Sequence, residues 1–171
     1  MRTFGVGVVL AFAVVLPRAV HAADAARQAE VAQPGAQAKP FQLSVTFHIF
    51  TKTQDDGIQW VVVRNFADVE QVPLIRQHLR EMQTKFHQRD FAGPTRIQGH
   101  EMPGLALLEA AKPGAITYNY WDVDGGAELR YRTSDVALVA ALRAWFDAQV
   151  SDHGTDAVEG HGHSFGSAPT N

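Results

Sequence analysis

The chain has no cysteine in its 171 residues. That absence excludes disulfides, thiolate zinc sites, cysteine-ligated iron–sulfur clusters, cysteine nucleophiles and covalently attached c-type haem. Any metal site must therefore use imidazole, carboxylate or thioether, from a stock of eight histidines and three methionines. Basic charge is also scarce. Fifteen Lys and Arg stand against eighteen Asp and Glu, a net charge of −3, which argues against nucleic acid as a partner because such sites need clustered cations. There is no Gly-x-Ser-x-Gly elbow, no P-loop, no dinucleotide fingerprint and no His-Glu-x-x-His, so no motif identifies an enzyme.

One apolar run stands out, Phe4 to Leu16 after Met1-Arg2. It is too short to span a bilayer comfortably. Val20 and Ala22 supply small residues at the positions a signal peptidase reads, so residues 1–22 read as a secretory signal peptide cleaved after Ala22. The expected location is the periplasm or the exterior, with no membrane contact after cleavage. The mature chain then carries 13 basic and 18 acidic residues, a net charge of −5.

Residues 23–39, rich in Ala, Gln and Pro, have no sustained apolar face and read as a mobile linker. From Phe41 the chain alternates, with Phe41, Leu43, Val45, Phe47 and Ile49 on one side and His48 on the other. That is the period of a half-buried strand. Asp56-Gly57 marks a hairpin turn before a second strand, Ile58 to Arg64. Asn65 or Asp68 can cap a helix reaching about His87, with Val72, Ile75, Leu79, Met82 and Phe86 along one stripe. The order then repeats: a strand over 116–123, a turn at Asp124-Gly125-Gly126, a strand over 127–133, and a helix capped by Ser134 or Asp135. Aligning Asp68 with Asp135 sets Ile75 on Leu142 and Leu79 on Phe146. The expected fold is α+β: a tandem β-β-α repeat over 40–152, forming a four-stranded antiparallel sheet with both long helices on one face. A short helix, Leu105 to Ala111, lies in the long connection between the halves. Residues 153–171, rich in His and Gly, read as a flexible tail.

The candidate ligands are histidines, methionines and one carboxylate. His78 and Met82, four apart on a helix, form a pair suited to copper(I). His100 and Met102 flank Glu101 on irregular backbone, where binding residues concentrate. Asp152, His153, His161 and His163 form the densest cluster, with His153 favoured for an ordered site because it adjoins the last helix. His48, expected on the open side of the sheet with Glu128, Arg130 and Arg132, is a candidate for a bound cofactor together with His78. His87 complements the C-terminus of its helix.

The segments His78-Leu79-Arg80, Met102-Pro103-Gly104-Leu105, Leu138-Val139-Ala140-Ala141-Leu142 and Trp145 to Gln149 through Asp152-His153-Gly154 resemble a family of small exported bacterial proteins of unestablished activity. The resemblance spans Phe41 to Asp156. Some members carry the label aspartate carbamoyltransferase, which this chain does not support. It lacks a Ser-Thr-Arg-Thr-Arg segment and is too short for two domains. It also has Gln98 and Arg143 where the resemblance leads one to expect histidine.

Two functions follow as expectations. One is a periplasmic metal-binding protein that sequesters or delivers copper or zinc. The other is a haem or small-molecule binding module, using the sheet face or the gap between the repeats. A homodimer through the open sheet face is a further expectation.

Overall fold

A computed structural model describes residues 18–160. Residues 1–17, most of the expected signal peptide over 1–22, and the pair His161 and His163 lie outside the described residues. Among the described residues no helix is long and apolar enough to cross a membrane.

The fold is α+β. Five strands, β1 (Thr46–Lys52), β2 (Asp56–Val63), β3 (Thr117–Val123), β4 (Gly126–Arg132) and β5 (Ala157–Glu159), form one sheet in the order β3-β4-β2-β1-β5. The first four pair antiparallel, while β5 runs parallel to β1 at the edge. The sheet is therefore mixed and five-stranded, where four antiparallel strands were expected. The extra strand comes from the segment assigned to the tail. Val158 and Glu159 pair with Ile49 and Phe50, and Gly160 donates its N–H to the Phe50 carbonyl at 2.9 Å. Three residues are too few to carry an alternation readable in sequence.

The long helices α2 (Gln71–His87) and α5 (Val136–His153) pack on one face of the sheet. Helix α2 buries Ile75, Leu79 and Phe86, and α5 buries Leu138, Ala141, Leu142, Trp145 and Phe146. Asp135 caps α5 as expected, its carboxylate accepting the N–H groups of Ala137 and Leu138 at 2.8 and 3.3 Å. Asn65 instead accepts the N–H of Ala67, and α2 begins at Gln71 without a side-chain cap. Between the halves stand α3 (Ala92–Gln98) and α4 (Leu105–Ala110). Gly57 is a strand residue rather than a turn residue. A Cβ there would come within 2.8 Å of both Leu142 and Phe146, so its bareness lets α5 settle on the sheet.

Two further segments depart from the sequence reading. Helix α1 (Arg18–Ala38) occupies most of the stretch read as a linker. It packs on α3 and α5 with one fully buried apolar anchor, Val31, and a polar clamp in which Arg27 bonds both carboxylate oxygens of Asp152 at 3.2 and 3.0 Å. A helix held by one anchor and an ion pair leaves no apolar stripe to read. The first strand also faces the opposite way. Leu43–Val45 is a 3-10 turn, and Thr46, His48 and Phe50 point to the helices while Phe47 and Ile49 lie on the other face. His48 is thus buried under the helices, 2% exposed, rather than placed on the open side. A break of pitch before a strand inverts every side chain after it.

Candidate functional site

The inversion of β1 puts His48 on the floor of a cavity of about 140 Å³. Five elements converge on it. Helix α2 brings His78, Met82 and Phe86, α5 brings Trp145, Gln149 and His153, and the sheet brings His48, Phe50 and Gln59. Lys39 follows the end of α1, and α3 closes the remaining side with Ile97 and Gln98. Exposed Glu81, Lys85, Asp90 and Arg96 form the rim.

Three histidines surround this space. His48 and His153 stack, with ring centroids 5.6 Å apart and planes 13° from parallel. Phe41 bridges the other side, its ring 5.9 Å from His48 and 5.5 Å from His78. Burial holds all three imidazoles below the ordinary histidine range: His78 falls to about 4, His153 to about 3, and His48 well below its usual value. The nearby Lys39 charge adds to the lowering in each case. All three are neutral at pH 7 and can accept a hydrogen bond or a metal ion.

Lys39 is the unusual member. As a residue it is half-buried, yet its Nζ is buried with no hydrogen-bond partner among the described residues. Lysines ordinarily bury the stem and send the ammonium to water; here the order is reversed. Burial lowers the amine to about 8, opposed by the charge of Asp156. His48 Nδ1 and Trp145 Nε1 are likewise buried without a partner. By contrast, Gln98 and Gln149 satisfy each other, Nε2 to Oε1 at 3.1 and 2.9 Å, and Gln59 accepts from Tyr131 Oη at 2.7 Å.

Of the residues proposed from sequence, His48, His78, Met82 and His153 meet at this cavity. The others do not. His100 is exposed in the turn after α3. Met102 is in the hydrophobic core with its Sδ 4.0 Å from Gln149 Nε2. Asp152 is engaged by Arg27 and by Gln98 at 3.4 Å. His87 is exposed at the end of α2, its Nε2 3.0 Å from the Tyr118 carbonyl oxygen. Among the described residues no three His, Asp or Glu side chains gather closely enough to form a metal cluster. Sequence reasoning missed Lys39, which sat in an apparent linker, and Trp145, which looked like one more residue of an apolar stripe.

The fold and this site define an α+β domain with one polar-floored cavity between its two long helices. No family model matches the chain, and no curated protein or solved structure does either.

Proposed function

We propose that this protein is a small-molecule binding module whose ligand occupies the cavity between α2 and α5. One observation carries the reading: Lys39 Nζ, His48 Nδ1 and Trp145 Nε1, three buried polar atoms without partners among the described residues, belong to residues lining a single cavity. Orphaned buried polar groups cost about 1–3 kcal/mol each, and convergent ones mark where a ligand supplies the missing bonds. The volume favours a guest near benzene in size, since an engineered cavity of about 150 Å³ holds benzene. Haem is larger than that, which weighs against the haem form of this reading.

The cavity's position also fits a duplicated β-β-α domain. A shift of 67 residues sets His78, Met82 and Phe86 on Trp145, Gln149 and His153, and all six line the cavity. On this reading the site sits at the seam between repeats. The four paired antiparallel strands form the duplicated part, and β5 is an addition.

Metal binding is the second reading, supported by three uncharged imidazoles and the Met82 thioether around one space. The Lys39 ammonium opposes a cation there by direct repulsion. Periplasmic copper or zinc handling would then draw on His153 or on the pair His161 and His163. Calorimetry with zinc and copper(I) separates these sources. Loss of binding on deleting residues 161–171 assigns it to that segment, and loss in His78→Ala and His153→Ala assigns it to the cavity.

A fragment screen by ligand-observed NMR tests the first reading. Met82→Trp fills the cavity from α2, so hits on the native protein should vanish in this variant. An absence of hits, or hits that persist in Met82→Trp, contradicts it.

A further inference from the structure

We infer that the cavity takes a monocarboxylate with a benzene-sized apolar body, its carboxylate held by Lys39. This rests on the small-molecule reading above and names the ligand class for that site.

The argument starts from the counter-ion. Among the described residues, Glu81 and Asp90 are the only carboxylates lining the cavity, and both are exposed on its rim. Asp156 acts on Lys39 through space, but its Oδ1 is held by Arg64 at 3.0 Å. Asp152 is held by Arg27. Among the described residues the inward ammonium therefore lacks an acceptor, and a buried charge is retained only when something compensates it.

The rest of the cavity limits what can compensate. The indole N–H of Trp145 is a second unpartnered donor. His48 Nδ1 is unpartnered as well, but the neutral ring spends its one N–H on the Asp156 backbone, so Nδ1 is an acceptor and adds nothing to the donors. Beside these donors the walls are apolar: Phe50, Met82, Phe86 and Ile97. A lone small anion would leave those walls unfilled. A dianion such as phosphate would bury a second negative charge with one cation to meet it, since the imidazoles are neutral. One carboxylate on an apolar body satisfies charge, donors and walls together.

The test uses benzoate against benzyl alcohol, which keeps the ring and removes the charge, with inorganic phosphate as a third probe. Binding is read by calorimetry and by thermal denaturation of the protein. Benzoate should bind and raise the Tm, with benzyl alcohol at least about tenfold weaker, as expected for a lost charged hydrogen bond. Lys39→Met should erase the difference between the two and raise the Tm of the unliganded protein, because it removes an uncompensated buried charge. Lys39→Gln is the second variant should Lys39→Met fail to fold, and it too should erase the difference. Equal affinity for benzoate and benzyl alcohol in the native protein overturns the carboxylate assignment and leaves the small-molecule reading standing. So does phosphate binding more tightly than benzoate, or a benzoate preference that survives at both variants. Failure of benzoate to bind overturns the assignment; failure of every screened fragment removes the underlying reading as well.

Discussion

His48 and His153 face each other as nearly parallel rings, 5.6 Å between centroids and 13° between planes, although 105 positions separate them in the chain. The stack joins strand β1 to the end of α5 and forms part of the cavity that also holds His78. Its consequence is electrostatic. Neutral imidazoles pack there comfortably, but protonated ones must be desolvated beside each other and beside Lys39.

Acid should therefore unfold the protein earlier than its carboxylates alone would. His78 and His153 titrate at about 4 and about 3 in the folded chain, below the ordinary histidine value of about 6.5. The unfolded chain thus binds more protons over the window from about 6.5 down to those values, and stability falls as pH falls through it. At pH 5 each of the two histidines should have cost on the order of 2 kcal/mol relative to pH 7. Urea unfolding at pH 7 and pH 5 measures this, and His153→Gln should reduce the difference. An unchanged difference in that variant would place the acid sensitivity elsewhere.

Gly57 controls how closely α5 lies on the sheet. Gly57→Ala puts a methyl within 2.8 Å of Leu142 and Phe146 side-chain atoms, both of which are buried. We expect a loss of about 1–3 kcal/mol, as for other overpacked cores, read from the denaturation midpoint. A neutral result would mean that α5 shifts without cost.

The polar clamp on α1 gives a local prediction. Asp152 accepts two bonds from Arg27, and Arg27 also donates to the Gln98 carbonyl at 2.5 Å. In Asp152→Ala the guanidinium loses its buried carboxylate and keeps only the exposed Glu30 at 3.3 Å, at a cost of about 1–3 kcal/mol. Amide exchange should accelerate across residues 25–38, while the strands β2 and β4 keep their protection. Uniform acceleration throughout the domain would show that α1 is not a separable layer.

How far these features could be read in the sequence depended on periodicity. Helix α5 and strands β3 and β4 were legible because recognisable turn or cap chemistry bounds them, as at Gly125 and Asp135, and α2 because its apolar stripe is continuous, although the cap expected for it is absent. The buried face of β1 was not. Phe41, Leu43 and Val45 alternate like a strand, but the chain turns through Leu43–Val45 before the strand begins, and the side of His48 depended on that count. Helix α1 was hidden because Val31 and Arg27 hold it without an apolar stripe, and α3 because seven residues around Pro94 carry too few apolar side chains. At the site, His78, Met82 and His153 were visible from residue type and position. Lys39 was not, because its role follows from an ammonium turned inward, and no spacing in the sequence encodes that. His100 shows the converse: a plausible ligand type on irregular backbone that the fold leaves exposed.

The most direct test is to record the indole N–H resonances of Trp145 and Trp121 and the methyl resonance of Met82 while benzoate is added. Trp145 and Met82 line the cavity from two different helices, whereas Trp121 is 46% exposed on the sheet strand β3 and serves as the control. Saturable shifts at Trp145 and Met82, with Trp121 unmoved, are the predicted result. Shifts at Trp121 alone, or none at Trp145 and Met82, would contradict ligand binding between the helices.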